Sequence, residues 1–402
     1  MEREELYRKL SVTNEKKLVL VVLDGLGGIP VKGKTELETA QTPNLDFFAS
    51  GSELGLSHPL GIGITPGSGP AHLSLFGYDP FKYEIGRGIL EALGVGIPVT
   101  KKDVTARGNF ATLENNLIVD RRAGRISTEK NREIVTFLNE RLQKIDDVDV
   151  RLCSGEEHRF VLVMTGENLS DALTDADPEG IGLPIKYAMP KDDISMKTAD
   201  VVNQFIDTAT SLLGDFHPAN TCLLRGFAKY PMIPSMTELF KLKPAAIASY
   251  PMYRGLAQLV GMDILETGKT IEDQIKTLKA NYSKYDFFFI HVKKTDSYGE
   301  DGNFDAKVKV IEEFDYWLPA IMELFPGVMV VTGDHSTPAA MKSHSWHPNP
   351  FLIQAAFQRT SFKQNLKFGE RTCAEGILGN FQAIDILPMM MANALKLKKY
   401  GA

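Results

Sequence analysis

The sequence predicts an α/β domain on a mainly parallel sheet with helices on both faces, interrupted by an inserted α+β domain. Three observations carry that prediction. Several short apolar runs are continuous rather than alternating, as strands covered on both faces read. Helical patterns lie between or after them, and alternating strands and helices favour a parallel sheet. The middle of the chain changes to hairpin-like pieces, and 402 residues are long for a single core.

The expected buried parallel strands are, in order, "KLVLVVL" (17–23), "YDFFFIHV" (285–292), "VMVVT" (328–332) and "PFLIQA" (350–355). After the first comes "TPNLDFFASG", which predicts a helix with Thr42 as N-cap, Pro43 at the first helical position and an end near Gly51. In "VKVIEEFDYWLPAIMELF", Val308, Ile311, Phe314 and Trp317 recur on one helical face. The inserted domain is placed at 105–244, dividing an α/β domain of 1–104 and 245–402. Within it, "SGEE" should turn two strands of "VDVRLCSGEEHRFVLVM", and "NREIVTFLNERLQKI" and "KTADVVNQFIDTATSLL" should be amphipathic helices. The "MMM" at 389–391 belongs to a C-terminal helix as core packing.

Composition narrows the function. A net charge of −6 without a long basic run gives no reason to expect nucleic acid as a partner. No apolar stretch approaches membrane-spanning length, so no membrane partner is expected. Three scattered cysteines, Cys153, Cys222 and Cys373, form no CxxC, which fits a reducing cytoplasm.

Chemistry-bearing residues follow the strands. Asp24 ends the first in "LDGLGG"; "KKTDSYGEDG" after the second carries Asp296 and Glu300; "TGDHSTP" after the third carries Asp334 and His335. "SHSWHPNP", just before the fourth, carries His344 and His347. In open α/β sheets, ligands bind beyond the carboxyl ends of the strands. Singly, each residue has a structural explanation, since Asp-Gly is a turn dipeptide and Asp334 could cap a turn. Together, gathered carboxylates and histidines suit Mn²⁺, Mg²⁺ or Zn²⁺, with enough ligands for two ions. Ser68, in "GITPGSGPAHLSLFGYDP", stands at or just before a helix N-terminus. It is either a capping serine or a nucleophile beside backbone amides. His72, four residues on, falls on the same helical face and could orient Ser68 or merely pack.

These motifs, with "GRGILEALG", "ARGNFATL", "DRRAGRIS", "TDADP" and "LLRGFAKYP", extend in order along essentially the whole chain. Together they resemble the archaeal type of cofactor-independent phosphoglycerate mutase, of the alkaline phosphatase superfamily. The resemblance implies an alkaline-phosphatase-like fold and a metal-dependent interconversion of 3-phosphoglycerate and 2-phosphoglycerate without 2,3-bisphosphoglycerate. Ser68 would be transiently phosphorylated. Two divalent ions are implied, Mn²⁺ first, with Mg²⁺, Zn²⁺ or Co²⁺ as alternatives. One would be held by Asp24, Ser68, Asp334 and His335, the other by Asp296, His344 and the residue at position 300. The family pattern "TDxxGHDG" has histidine there, whereas this chain has Glu300, a harder donor with an added charge that favours Mn²⁺ or Mg²⁺ over Zn²⁺. His347 is a lesser substitute ligand. Arg254 matches a substrate-binding basic position of the family. Arg87, Arg107, Arg121 and Arg122 are further candidates to bind phosphoglycerate, and the insertion should close the site against water. Another phosphomutase or a metal-dependent phosphatase of the superfamily, or a non-catalytic relative that senses phosphorylated metabolites, are the competing readings.

Overall fold

Leu18–Leu23 form β1, whose six side chains are all buried, as a strand covered on both faces requires. The computed structural model describes residues 2–94 and 96–401, with the backbone alone at Arg87 and Gly94. The chain divides into two units, one running to Glu84 and resuming at Ile233, the other spanning Ile85–Met232. After β1 come β2 (Glu53–His58) and, in the second unit, β3 (Asp103–Glu114), β4 (Leu117–Asp120), β5 (Lys144–Ile145), β6 (Val148–Ser154), β7 (Arg159–Thr165) and β8 (Thr221–Lys229). The first unit resumes with β9 (Pro244–Ile247), β10 (Asp263–Ile264), β11 (Phe287–Val292), β12 (Val328–Thr332), β13 (Asn349–Ala355) and β14 (Gly379–Gln382).

In the first unit the sheet order is β10-β9-β11-β1-β12-β13-β2-β14. Strand β1 lies between β11 and β12, parallel to both. Helices cover both faces, and β11 shows how. Phe288 and Ile290 pack in a core with Ile275, Ile311 and Phe314 from helices Ile271–Asn281 and Phe304–Met322. Phe289 points the other way, edge-on to Phe76 at 4.9 Å, just past helix Ser68–Leu75.

The fourth apolar run departs from expectation. Strand β13 is antiparallel to both β12 and β2. A parallel return needs a crossover, usually a helix, but residues 333–348 contain none and double back directly. The reversal places the start of β13 at the same sheet edge as the ends of β1, β11 and β12. The C-terminal helix Ile386–Asn393 buries Met390 and Met391 in the core.

In the second unit, β4-β3-β7-β6-β5 form a sheet in which β8 also pairs with β3. Helices Thr128–Arg141 and Met196–Leu212 contribute Ile134, Leu138, Val202, Phe205 and Ile206 to its core. The first helix ends earlier than its pattern suggests, because Lys144 and Ile145 pair with β6. This unit starts before residue 105 and ends before 244, for a packing reason. Helix Arg87–Gly94 lies so close to β3 that a Cβ on Gly88 would meet Ala106 Cα at 2.9 Å, and the end of β8 runs beside Gly86.

Candidate metal and nucleophile site

The site is built from loops at the edge where β1, β11 and β12 end, all within the first unit. Asp24 follows β1 directly, and Gly25 has φ +65°. A Cβ there would lie 2.5 Å from Thr337 Oγ1 and 2.9 Å from Asp296 Oδ1, so glycine lets the three segments converge. Gly25 N–H donates to Asp334 Oδ1 at 3.0 Å. Asp24, Asp334 and His335 are wholly buried.

These three residues face one another closely. His335 Nε2 lies 3.3 Å from Asp24 Oδ1 and 3.1 Å from Asp334 Oδ2. Both carboxylate oxygens lack a hydrogen-bond partner among the described residues. Thr337 Oγ1 donates to Asp296 Oδ1 at 2.6 Å, so it must accept from His335 Nδ1–H at 2.9 Å. That assigns the tautomer and leaves the His335 Nε2 lone pair facing the two orphaned oxygens. Burial holds His335 well below the usual histidine range, which keeps it neutral. Burial, reinforced by Asp24, pushes Asp334 up. Burial would raise Asp24 too, but His291 and the Lys293 ammonium outweigh it and hold Asp24 low. Buried acceptors aimed at a common point need a cation, and the set fits one divalent ion.

A second group adjoins the first. Asp296, on helix Lys294–Glu300, has Oδ1 3.6 Å from His344 Nε2, which is 3.8 Å from Glu300 Oε1. His344 Nδ1–H donates to Pro66 O at 2.9 Å, so its Nε2 also presents a lone pair. The His335 and His344 rings stack at 3.6 Å. Asp296, His335 and His344 lie close enough to hold an ion. Glu300 borders this group through His344 and is not one of its three members. Burial and then Asp296 raise the Glu300 pKa.

Ser68 is the first residue of helix Ser68–Leu75; Gly67 is the N-cap and provides no side-chain cap. The Ser68 side chain is therefore not spent on capping. Its Oγ lies 3.4 Å from His335 Nε2. The first turn of a helix leaves its N–H groups without intrahelical acceptors, here those of Ser68 and Gly69, and Pro70 has none to satisfy. His72 is wholly buried and its Nδ1–H donates to Ser68 O at 2.9 Å, anchoring the Ser68 backbone. Burial lowers its pKa to about 3.

The remaining candidates have their own surroundings. His347 stacks on Trp346 and bonds Ser345 Oγ at 3.1 Å. Arg254 donates to Glu266 Oε1 at 2.6 Å. In the second unit, Arg107 pairs with Glu91 at 3.3 Å, and Arg121 grips buried Asp177 through Nε and Nη2 at 3.0 and 2.7 Å. Arg122 is exposed. The Arg87 side chain lies outside the described residues. Sequence reasoning missed Lys293, His291, Tyr253, Thr337, Lys307 and, in the second unit, Arg225, which faces Arg107 across β3 and β8 and lies 3.4 Å from Asp177. Tyr253 O–H donates to Asp24 Oδ2 at 2.6 Å. Lys307, wholly buried, donates to Gly25 O, Gly27 O and Thr337 O at 2.8, 3.2 and 2.8 Å. The phase of helix Pro251–Leu259 was the available signal for Tyr253, since its buried face carries Tyr253 rather than Arg254.

A family profile described as 2,3-bisphosphoglycerate-independent phosphoglycerate mutase matches residues 49–220. A Thermotoga neapolitana relative named "Probable 2,3-bisphosphoglycerate-independent phosphoglycerate mutase" is 54% identical over 402 residues, covering 100% of both chains. An Aquifex aeolicus relative of the same name is 52% identical, covering 99% of this chain and 100% of its own. Among solved structures, a cofactor-independent phosphoglycerate mutase from Thermoplasma acidophilum superposes with TM-score 0.74 at 32% identity, covering 94% of this chain and 100% of that one. A Pyrococcus horikoshii protein gives TM-score 0.81 at 31% identity, over 97% and 100% of the two chains.

Proposed function

Because this chain belongs to the 2,3-bisphosphoglycerate-independent phosphoglycerate mutase family and is an isomerase of that class, we propose that it interconverts 3-phosphoglycerate and 2-phosphoglycerate through a phosphorylated Ser68. The observation that carries the reading is the convergence of Asp24 Oδ1, Asp334 Oδ2 and His335 Nε2, all acceptors, beside Ser68 Oγ.

Asp24, Ser68, Asp334 and His335 would hold one divalent ion, and Asp296, Glu300 and His344 a second. Bound ions would lower the pKa of the Ser68 hydroxyl and offset charge on the phosphoryl oxygens. Mn²⁺ is the ion proposed, because the second set has two carboxylates to one imidazole. The protein's own part is positioning. His72 fixes the Ser68 backbone, and the free N–H groups of the first helical turn would face incoming phosphoryl oxygens. The Ser68 hydroxyl gives up its proton and Oγ attacks phosphorus as the bond from phosphorus to the glycerate oxygen breaks, and that oxygen takes up a proton. Glycerate then turns, its other hydroxyl gives up a proton and attacks phosphoserine, and the Ser68–phosphorus bond breaks as Oγ regains a proton. Free bisphosphoglycerate enters neither half.

Water must be kept from the phosphoserine, or the mutase becomes a phosphatase. That role is assigned to the inserted unit, and recognition of the substrate anion to Arg87, Arg107, Arg121, Arg122 and Arg254, whose planar guanidinium groups suit carboxylate and phosphate. The compartment proposed is the cytoplasm. No helix among the described residues is long and apolar enough to cross a membrane.

Ser68→Ala tests the reading. Turnover and the acid-stable phosphoenzyme should both vanish while the thermal midpoint stays near wild type. Turnover within tenfold of wild type would end the proposal for Ser68.

A further inference from the structure

Lys293 is the first residue after β11, and its ammonium is not one of the expected site residues. It is mostly buried, with 21% of its side chain exposed, whereas its neighbour Lys294 is exposed. Nζ lies 3.1 Å from Asp24 Oδ2 and 2.5 Å from Asp296 Oδ2, and 5.5 and 5.7 Å from the ring centroids of Tyr250 and Tyr253. The two carboxylates belong to different ligand groups. Each gives Lys293 one oxygen and turns the other toward the imidazoles: Asp24 Oδ1 toward His335, Asp296 Oδ1 toward His344.

We propose that Lys293 is a positioning residue that couples the two metal centres, by holding the Oδ2 atoms of Asp24 and Asp296 so that each Oδ1 is aimed at its own ion. This rests on the metal reading above. Without the ammonium, two anionic oxygens face each other across a gap of low polarisability, and their repulsion rotates the carboxylates. Tyr253 still holds Asp24 Oδ2, with His291 Nε2 3.3 Å from it, and Thr337 still holds Asp296 Oδ1, but among the described residues no other cation bridges the two Oδ2 atoms. A purely electrostatic lysine would act with the opposite sign: its removal would tighten the binding of a dication.

The test is calorimetric titration of the chelator-treated full-length protein with Mn²⁺, which reads stoichiometry and affinity independently of turnover. Wild type should take up two ions. Lys293→Met should weaken both by about 10–100-fold, the usual effect of losing a group that orients metal ligands. Lys293→Arg should recover part of the loss at both, and Lys294→Met should match wild type. Thermal unfolding in chelator checks that each variant folds, and Lys293→Gln replaces Lys293→Met if the latter does not. Two ions bound by Lys293→Met at wild-type affinity or tighter, or weakening confined to one of them, would overturn the proposal. A wild-type chain that takes up no Mn²⁺ would overturn the metal reading itself, and with it the coupling.

Discussion

Ser68 and Glu300 illustrate what single residues decide. The serine occupies the first helical position, with Gly67 as the cap, so its hydroxyl is left to the site. Its surroundings of glycine and proline were legible in sequence, but the choice between cap and nucleophile was not, because it turns on one residue of helix phase. Glu300 is legible as a departure from the family pattern, and its Oε1 stands 3.8 Å from His344 Nε2. Glu300→His should shift preference toward Zn²⁺ over Mn²⁺ by tenfold or more in competitive metal binding, and an unchanged ratio would refute the role given to the carboxylate. Glu370 offers a pH prediction. Burial raises its pKa from 4.5 to about 7, although Thr35 and the Gly28 N–H oppose the change. The folded protein keeps this proton where the unfolded chain has lost it. Its favourable contribution is therefore complete below about pH 4.5 and is lost as pH rises toward about 7, by about 1.4 kcal/mol for each pH unit crossed. Glu370→Gln should flatten that part of the stability profile, as measured by urea midpoints at about pH 5 and about pH 8.

Elements set which residues can meet. Continuous apolar runs announced β1, β11 and β12, and their polar successors announced Asp24, Asp296 and Asp334. Strand direction was not in the pattern, since a run buried on both faces looks the same either way. The helix-free stretch 333–348 reverses β13 and delivers His344 to the ligand edge. Lys307 was illegible for a different reason. A lysine in the amphipathic helix Phe304–Met322 reads as solvated, yet it fills a buried position where three carbonyl groups from two distant loops converge. Those loops carry Asp24 and His335. Lys307→Met should cost about 1–3 kcal/mol in urea unfolding, because Thr337 O is left without a donor while Gly25 O and Gly27 O keep only a shared Thr337 N–H. A loss under about 1 kcal/mol would mean that the loops hold themselves without it. Phe289→Ala, which empties the contact with Phe76, should cost about 3–5 kcal/mol by the same assay.

At the scale of the whole molecule, the chain makes two units with separate cores, and the change from strand–helix alternation to hairpins made that division readable. The boundaries were less so, since helix Arg87–Gly94 carries an ordinary amphipathic pattern and joins the second unit through packing on β3, β7 and β8. The second unit enters and leaves at adjacent places, with Gly86 against Ala228, so a fragment of residues 85–232 should fold alone and unfold cooperatively. A fragment without a thermal transition would show that its core needs the rest of the chain. The proposed mutase chemistry depends on ions gathered around Ser68. It is tested most directly by 3-phosphoglycerate turnover in an enolase-coupled assay, without bisphosphoglycerate, with Mn²⁺ and then with chelator. Turnover should appear with Mn²⁺, vanish with chelator and return when Mn²⁺ is restored. Turnover that survives exhaustive chelation, or none with any divalent ion from a folded sample, would contradict the account.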